Sequence, residues 1–301
     1  MIVSSFQERL SHDHNPSLAL RIYPQSKLGG VVEGASYAII GPKPINVRLP
    51  LKGGSINFLC GMDFVEHLSV RTMLAPAQDI DAIEQLTNLK TLEFETCCKS
   101  RVNFQNLPNL VQCSLKWRKG CESLFEKTNL RSLVIIGYRN PRLPIESLIG
   151  LQKLQVLDSS IDSIDFLQGM SELRQLRLAE LRRLIHTDAI SAPSRLQFLE
   201  IDSCRGFRKI DQISLLTSLT YLCLLNLGEV ESLAPLLNLT KLEAFFFYEN
   251  TNILDGDVAS LRKLERLQYL SFANRRHYNC KREDYLQYFN KYNGKTIQFL
   301  D

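Results

Sequence analysis

Leucines recur at mixed intervals in one stretch, LTYLCLLNLGEVESLAPLLNLTKL, which runs from Leu219 to Leu242. Leu219, Leu222 and Leu224 stand at offsets 0, 3 and 5, further apolar residues follow at steps of three, and Leu242 restarts the pattern. A helix alone would drift off this spacing, and a strand alone would alternate throughout. The mixture therefore predicts a short strand, a turn and a returning segment that all direct apolar side chains inward.

The same pattern can be followed from Val65 onward. Offsets 3 and 5 are apolar in every turn except one, where Ser159 falls at offset 5. The spacing of the lead residues predicts supersecondary units that stack on one another and share a core. The lead residues (offset 0) are Val65, Leu89, Leu110, Leu130, Leu154, Leu173, Leu196, Leu219, Leu242 and Leu267.

These ten turns resemble the leucine-rich repeat family over residues 65–272, in its compact bacterial or SDS22-like type. The resemblance implies an α/β solenoid: a leucine-rich repeat horseshoe with a parallel concave β-sheet, and short helices or irregular segments on the convex side. It also implies a binding role without naming a ligand. The family commonly places Asn or Cys at offset 8, where the side chain bonds the next turn. Here that ladder is degenerate, because residues such as Arg118, Tyr138 and Asp162 occupy the position.

The chain divides into three parts on this pattern. Residues 1–44 predict an N-terminal β-rich cap with strands near 18–23, 31–33 and 37–40; a partner-binding or oligomerising arm is the alternative. Residues 45–274 predict the solenoid, with Val47 and Leu49 in a first degenerate turn and helices over 79–86 and 255–264 that an acidic residue would cap. Residues 275–301 predict a C-terminal cap formed by a helix and a strand. The two caps are expected because the first and last turns of a repeat stack would otherwise expose their core faces to solvent.

Composition narrows the class of protein. The 301 residues are 45% hydrophobic with a formal net charge of +4, which is small for this length. The first residues lack a basic start followed by an apolar run, and no apolar stretch approaches the length of a membrane span. The eight cysteines lack metal-finger spacing, and several take apolar positions of the repeat. These features predict a protein with reduced thiols and a cytoplasmic location, without a membrane association.

Candidate catalytic and metal-binding chemistry is weak. His12 and His14 flank an acidic residue in a polar stretch, which is more typical of solvated side chains than of ligands. Gly29 and Gly34 have the spacing of a phosphate-binding loop, but the lysine that the loop requires is absent. Cys97 and Cys98 have no histidine placed beside them by the repeat. We therefore expect no catalytic residues, no metal site, no cofactor and no enzyme activity.

The outward-pointing strand positions carry the candidate partner site. Side chains of a strand alternate, so offsets 2, 4 and 6 point away from the core, and equal offsets form columns across a parallel sheet. Aromatic residues occupy these offsets in consecutive turns, and interfaces are enriched in such residues. The predicted partner-binding residues are Phe198, Glu200, Asp202, Tyr221, Leu225, Phe246, Tyr248 and Tyr269.

Charge separates the possible partners. With offsets 1 and 7 included, the outward positions carry nine acidic and six basic residues, which would repel a phosphate backbone. We therefore expect a protein partner bound through the concave face, as an inhibitor such as an immunity protein or as an adaptor, and the oligomeric state stays open. The alternative is a nucleic-acid or polyanion binder that uses basic residues after the strands, among them Arg182, Arg183, Arg205, Arg208 and Lys209.

Overall fold

The computed structural model describes residues 18–24, 29–32, 35–38, 45–49, 55–63, 65–71, 77–96, 98–207 and 210–285, and for the strands before residue 50 the description is of the backbone. Contacts divide the chain into two compact units, Met1–Leu130 and Arg131–Asp301. The C-terminal strand expected after residue 285, and the histidines His12 and His14, lie outside the described residues.

The first unit joins an antiparallel segment to three parallel strands. The chain order is β1 (Leu18–Pro24), β2 (Gly29–Val32), β3 (Ala35–Ala38), β4 (Ile45–Leu49), β5 (Val65–Arg71), β6 (Thr91–Glu95) and β7 (Gln112–Lys116). β5, β6 and β7 pair in parallel, whereas β1 lies antiparallel between β4 and β5. The first degenerate turn expected at Val47 and Leu49 is thus wrong, because β4 is an antiparallel strand. β1 satisfies the backbone edge of β5 that would otherwise stay open.

The described part of the second unit contains seven parallel strands in one sheet. They are β8 (Ser132–Ile136), β9 (Lys153–Leu157), β10 (Gln175–Ala179), β11 (Phe198–Asp202), β12 (Tyr221–Leu225), β14 (Ala244–Tyr248) and β16 (Tyr269–Phe272). Each pairs with the next in register, so that residues of equal offset are partners. The short strands β13 (Glu229–Val230) and β15 (Asn252–Ile253) form a separate parallel pair.

One lead residue is corrected by this pairing. Leu154 pairs with Leu133 and Leu176, which both stand at offset 3, so the lead residue of its turn is Leu151 and not Leu154. Leu151 is fully buried, and its N–H donates to Leu148 O, as the other lead residues donate to the carbonyl three residues before them. The apolar residue at offset 5 is then Val156, and Ser159 moves from offset 5 to offset 8. The error arose because Leu154 and Leu157 mimic the leucine spacing of offsets 0 and 3.

The described returning segments contain 3-10 helices, except the one between β8 and β9, since a turn of 20 to 25 residues leaves little room for a longer helix. The acidic caps expected for two of them are wrong: Asp79 makes no side-chain cap bond, and the later helix starts at Ala259, well after Asp255. The helices are Asn57–Leu59, Ile80–Gln85, Phe104–Asn106, Glu122–Glu126, Asp165–Gly169, Asp188–Ser191, Asp211–Leu215, Ala234–Asn238, Ala259–Lys263 and Arg282–Tyr285.

The core lies between the strands and the returning segments within each unit. With the corrected register, the lead residue is at most 7% exposed in every described turn, and the residues at offsets 3 and 5 are buried as expected. Each turn alone has an apolar face too small to bury, so its stability depends on its neighbours. The prediction that these three offsets form the core is confirmed.

Polar side chains also bond neighbouring turns from inside the core, although asparagine is not among them. Ser159 Oγ accepts from Tyr138 N at 3.0 Å. Cys204 Sγ lies 3.6 Å from Leu178 O, and the buried Thr251 Oγ1 donates to Leu224 O at 3.1 Å. Backbone groups buried away from water need such partners. The ladder is therefore carried by other residue types rather than lost.

The register correction can be tested by comparing two neighbouring substitutions. Val156 is fully buried, whereas Leu157 is half-buried on the opposite side of β9. Val156→Asp should lower the free energy of unfolding by several kcal/mol, because it buries an unpaired charge, while Leu157→Asp should keep the fold. Thermal melts monitored by circular dichroism would measure both. Equal destabilisation by the two variants, or a greater effect of Leu157→Asp, would contradict the corrected register.

Candidate partner-binding face

The outward face of the second unit consists of the strand side chains at offsets 2, 4 and 6. Because β11, β12, β14 and β16 pair in register, these offsets form three columns across the strands. Adjacent strands lie about 4.8 Å apart, so side chains of neighbouring turns touch. The columns at offsets 2, 4 and 6 are Phe198, Tyr221, Ala244, Tyr269; Glu200, Cys223, Phe246, Ser271; and Asp202, Leu225, Tyr248, Ala273.

Aromatic rings form a continuous row on this face. Phe198 stacks on Tyr221 with ring centroids 4.3 Å apart and an angle of 11° between the planes. Tyr221 contacts Phe246 at 5.5 Å in a tilted arrangement. These rings, together with Tyr248 and Tyr269, are half-buried, so each keeps part of its surface open. We call these five residues the ring cluster. Phe198, Tyr221 and Phe246 are positioned by their strands and by their ring neighbours before any partner arrives.

Two outward positions are less accessible than the sequence indicates. Leu225 is only 2% exposed, and Cys223 beside it in β12 is 5% exposed. Leu225 therefore supports the face from beneath, and the expectation that it points into solvent is corrected. The physical reason is that β12 lies between β11 and β14 in the sheet, where Leu225 is flanked by Asp202 on one side and by the larger Tyr248 on the other.

Glu200 is buried and paired. Its side chain is 9% exposed and forms an ion pair with Arg177 of β10, with 2.8 Å between Arg177 Nε and Glu200 Oε1. Burial raises the pKa of the Glu200 carboxyl, the positive charge of Arg177 opposes that rise, and the negative charge of Asp202 adds to it. Glu200 is thus held within the face rather than displayed on its surface.

The strands of this unit end in a repeated left-handed residue. Offset 7 has a positive φ in six consecutive turns, and asparagine tolerates this conformation better than most residues. The residues are Gly137, Asp158, Glu180, Ser203, Asn226 and Glu249, with φ between 42° and 77°.

These strand ends bring two carboxylates together. Asn226 Nδ2 donates to Glu249 Oε2 and lies 3.5 Å from Asp202 Oδ1. Ser203 Oγ also donates to Asp202 Oδ1, at 2.8 Å. Asp202 is thus beside Glu249 at the exit of the strands, next to Tyr248. The sequence gives no reason to pair these two carboxylates, because their offsets differ.

The predicted partner-binding residues do not include Arg177, Cys223, Asn226 or Glu249, which the structure places on this face or at its strand ends. Arg177 stands at offset 4, one strand before Glu200, so equal offsets of opposite charge were a signal for the ion pair. Asn226 had a weaker signal, the recurrence of small or polar residues at offset 7. The burial of Cys223 depends on its neighbours and left no signal in the sequence.

The described cysteines do not form an obvious reactive centre. All seven of them are reduced thiols, and burial raises the pKa of Cys121 to about 11 and of Cys204 to about 12. Such thiols stay protonated at neutral pH, whereas the thiolate is the nucleophile. Within the part of the chain that the structure describes, His, Cys, Asp and Glu nowhere gather into a group of three that could hold a metal ion. The described helices are all too short or too polar to cross a membrane.

Comparison with solved structures identifies the fold. An internalin, inlF from Listeria monocytogenes str. 4b F2365, superposes with a TM-score of 0.54 at 18% sequence identity, covering 73% of this chain and 71% of that chain. The chain has a leucine-rich repeat fold. The fold expected from the resemblance is thereby confirmed, since both the parallel pairing and the spacing of the buried leucines agree with it.

Two further internalins match this leucine-rich repeat chain at TM-scores too low to support an argument. Internalin C2 of the same Listeria strain gives 0.38 at 18% identity, covering 72% of this chain and 76% of that chain. The functional domain of InlJ from Listeria monocytogenes gives 0.40 at 14% identity, covering 80% of this chain and 58% of that chain. Neither a protein-family model nor a curated protein matches the sequence.

The burial of Glu200 predicts a pH dependence of stability. Its pKa is raised in the folded state, so the folded protein binds this proton more readily than the unfolded chain. The contribution to stability is therefore present at low pH and is lost as the pH rises through the folded-state pKa. On lowering the pH from about 8 to about 5, the wild type should gain unfolding free energy relative to Glu200→Gln.

Urea titrations at a series of pH values would measure this difference. Glu243→Gln removes the same charge from an exposed position directly before β14 and controls for net charge. Parallel stability profiles of the wild type and Glu200→Gln across the pH range would contradict the assignment.

Proposed function

We propose that the chain is a non-catalytic protein-binding module whose partner docks on the outward face of β11, β12, β14 and β16. The observation that carries this proposal is the row of stacked, half-exposed rings from Phe198 through Tyr221 to Phe246. The repeat requires apolar residues at offsets 0, 3 and 5, but it requires no rings at offsets 2 and 4. Exposed aromatic residues that cluster are typical of interface hot spots.

The arrangement favours binding because the rings are already ordered. A partner that engages flexible side chains loses binding energy to their immobilisation, at roughly 0.5–1.5 kcal/mol for each side chain. Tyr221 is held between Phe198 and Phe246, so little of that cost applies to it. The buried Leu225 and Glu200 fix the floor of the surface.

The absence of catalysis is part of this proposal. Glu200 is a buried carboxylate on the face. Because it is paired with Arg177, it is poorly suited to act as a general acid or base. Cys223 is buried beside it, and burial raises the pKa of its thiol, which disfavours the nucleophilic thiolate. The reduced thiols of the described cysteines also support a reducing cytoplasm as the site of action.

Two biological roles fit such a module. As an inhibitor it would mask the active surface of an enzyme or toxin, and as an adaptor it would recruit an enzyme to another protein. The roles differ in what the partner does when bound: an inhibited partner loses its own activity, whereas a recruited one keeps it. Assay of the captured partner with and without the chain distinguishes them.

The ring cluster is tested by alanine substitutions. Tyr221→Ala, Phe246→Ala and Tyr248→Ala should each weaken partner binding by about 2 kcal/mol, since truncated aromatic anchors typically cost that much. The melting temperature should change little, because these side chains lie outside the core. Partners captured from a lysate by the wild type would be titrated against each variant by calorimetry.

A matched control is Tyr138→Phe, which removes a hydroxyl from an aromatic residue outside the face, where Tyr138 Oη donates to Arg142 O. Wild-type affinity in all three ring variants would place the binding site elsewhere. Unfolding of all three would mean that the rings belong to the core.

Nucleic-acid binding by the basic loops is the alternative function. Arg182, Arg183 and Arg205 are exposed, while Arg208 and Lys209 lie outside the described residues. Other basic residues after the strands are already engaged: Arg139 pairs with Asp158 at 2.6 Å. This engagement reduces the charge available to a phosphate backbone.

We expect no tight binding to duplex or single-stranded nucleic acid at physiological salt. Fluorescence anisotropy with labelled oligonucleotides would measure it across a salt series, because a phosphate-driven complex weakens steeply as salt rises. Tight binding that disappears when Arg182, Arg183, Arg205, Arg208 and Lys209 are changed to Glu would reverse the ranking of the two functions.

A further inference from the structure

We infer that the docking segment of the partner is cationic, with an Arg or Lys side chain placed between the ring cluster and the carboxylates of Asp202 and Glu249. This inference rests on the proposed function and assigns the chemistry of its partner. It concerns the same outward face and the strand ends that border it.

The first argument is the sign of the charge. On the described outward positions of β11, β12, β14 and β16, with offsets 1 and 7 included, every side chain that is charged at neutral pH is a carboxylate. Lys and Arg are absent from these positions, although the preceding strands carry several. A surface of one sign selects a partner of the other sign and repels a partner of the same sign. The carboxylates are Asp202, Glu243 and Glu249, together with Glu200, whose charge Arg177 already pairs.

The second argument is the placement of two of these carboxylates beside the rings. Asp202 and Glu249 both contact the amide nitrogen of Asn226, so their like charges are held close together. Tyr248 precedes Glu249 at the end of β14, and part of its ring is exposed to solvent. A guanidinium or ammonium group above that ring would gain a cation–π contact and charge-assisted hydrogen bonds together.

The third argument is an internal precedent on the same sheet. Arg177 extends from β10 to Glu200 on β11, with 2.8 Å between Arg177 Nε and Glu200 Oε1. The spacing of the strands therefore accommodates an arginine beside an outward carboxylate. Asp202 and Glu249 lie further along the face, where Arg275, which follows β16, donates to the carbonyl oxygens of Glu249 and Thr251 rather than to either carboxylate.

A peptide-display experiment tests the inference without the natural partner. A random library would be panned on the immobilised wild-type chain, and the binding of enriched peptides would be measured by fluorescence anisotropy. We expect the enriched peptides to carry Arg or Lys beside apolar residues. The double variant Asp202→Asn with Glu249→Gln should bind them about tenfold more weakly, and added salt should weaken wild-type binding.

A matched control changes the same charges elsewhere. Asp211→Asn with Glu231→Gln neutralises one Asp and one Glu that are exposed and lie outside the outward face. This control should bind the peptides as the wild type does. Melting temperatures of both double variants would establish that they are folded.

The other outcomes separate this inference from the proposed function. Neutral or acidic enriched peptides, or peptides that bind the Asp202→Asn, Glu249→Gln variant normally but lose binding to Tyr221→Ala, overturn the cationic partner and leave the docking face in place. Peptides that bind every variant equally contradict both. A library without enriched peptides overturns the inference, as does self-association of the chain that the double variant abolishes, since the occupant would then be a second copy.

Discussion

The in-register pairing of parallel strands is the constraint on which this molecule depends. When every strand of the second unit aligns with its neighbours, a residue at a given offset always stands beside its counterpart in the next turn. A slip of one residue would turn Leu222 and Leu224 to the outward face and Cys223 to the core in their place. The leucines at offsets 0, 3 and 5 make such a slip costly, because they would exchange the core for water. The same alignment that protects the core therefore builds the columns of the outward face.

The ends of the strands show how the backbone requirement can be met by different residues. Where the chain leaves the sheet in each turn, the buried N–H and C=O groups must still have hydrogen-bond partners. Ser159, Cys204 and Thr251 bond the neighbouring turn from within the core, and the left-handed residues at offset 7 turn the chain out of the sheet. Ser159 and Cys204 stand at offset 8 and Thr251 at offset 9, so small polar groups of different types serve wherever they reach the carbonyl or N–H.

The outward face is built on this scaffold and inherits its order. The rings of Phe198 and Tyr221 stack because their strands place equal offsets side by side. Burial of Leu225 and the Glu200–Arg177 ion pair then hold the floor of that surface. The charge of the face comes from carboxylates at the ends of its strands, next to a partly exposed aromatic ring. We propose that a surface with this composition recognises another protein.

The sequence alone determined the repeat, its period, the buried offsets and the row of outward aromatic residues. It could do so because each depends on a local period, in which strand side chains alternate and equal offsets stack. It failed where two local solutions look alike: Leu154 and Leu157 imitate a lead pair, and only the partners of β9 select Leu151. The tertiary structure also decided that β4 is antiparallel, that Leu225 is buried, and that Asn226 joins Asp202 to Glu249. These facts depend on which residues of neighbouring strands meet in space, and that information is absent from the period of a single turn.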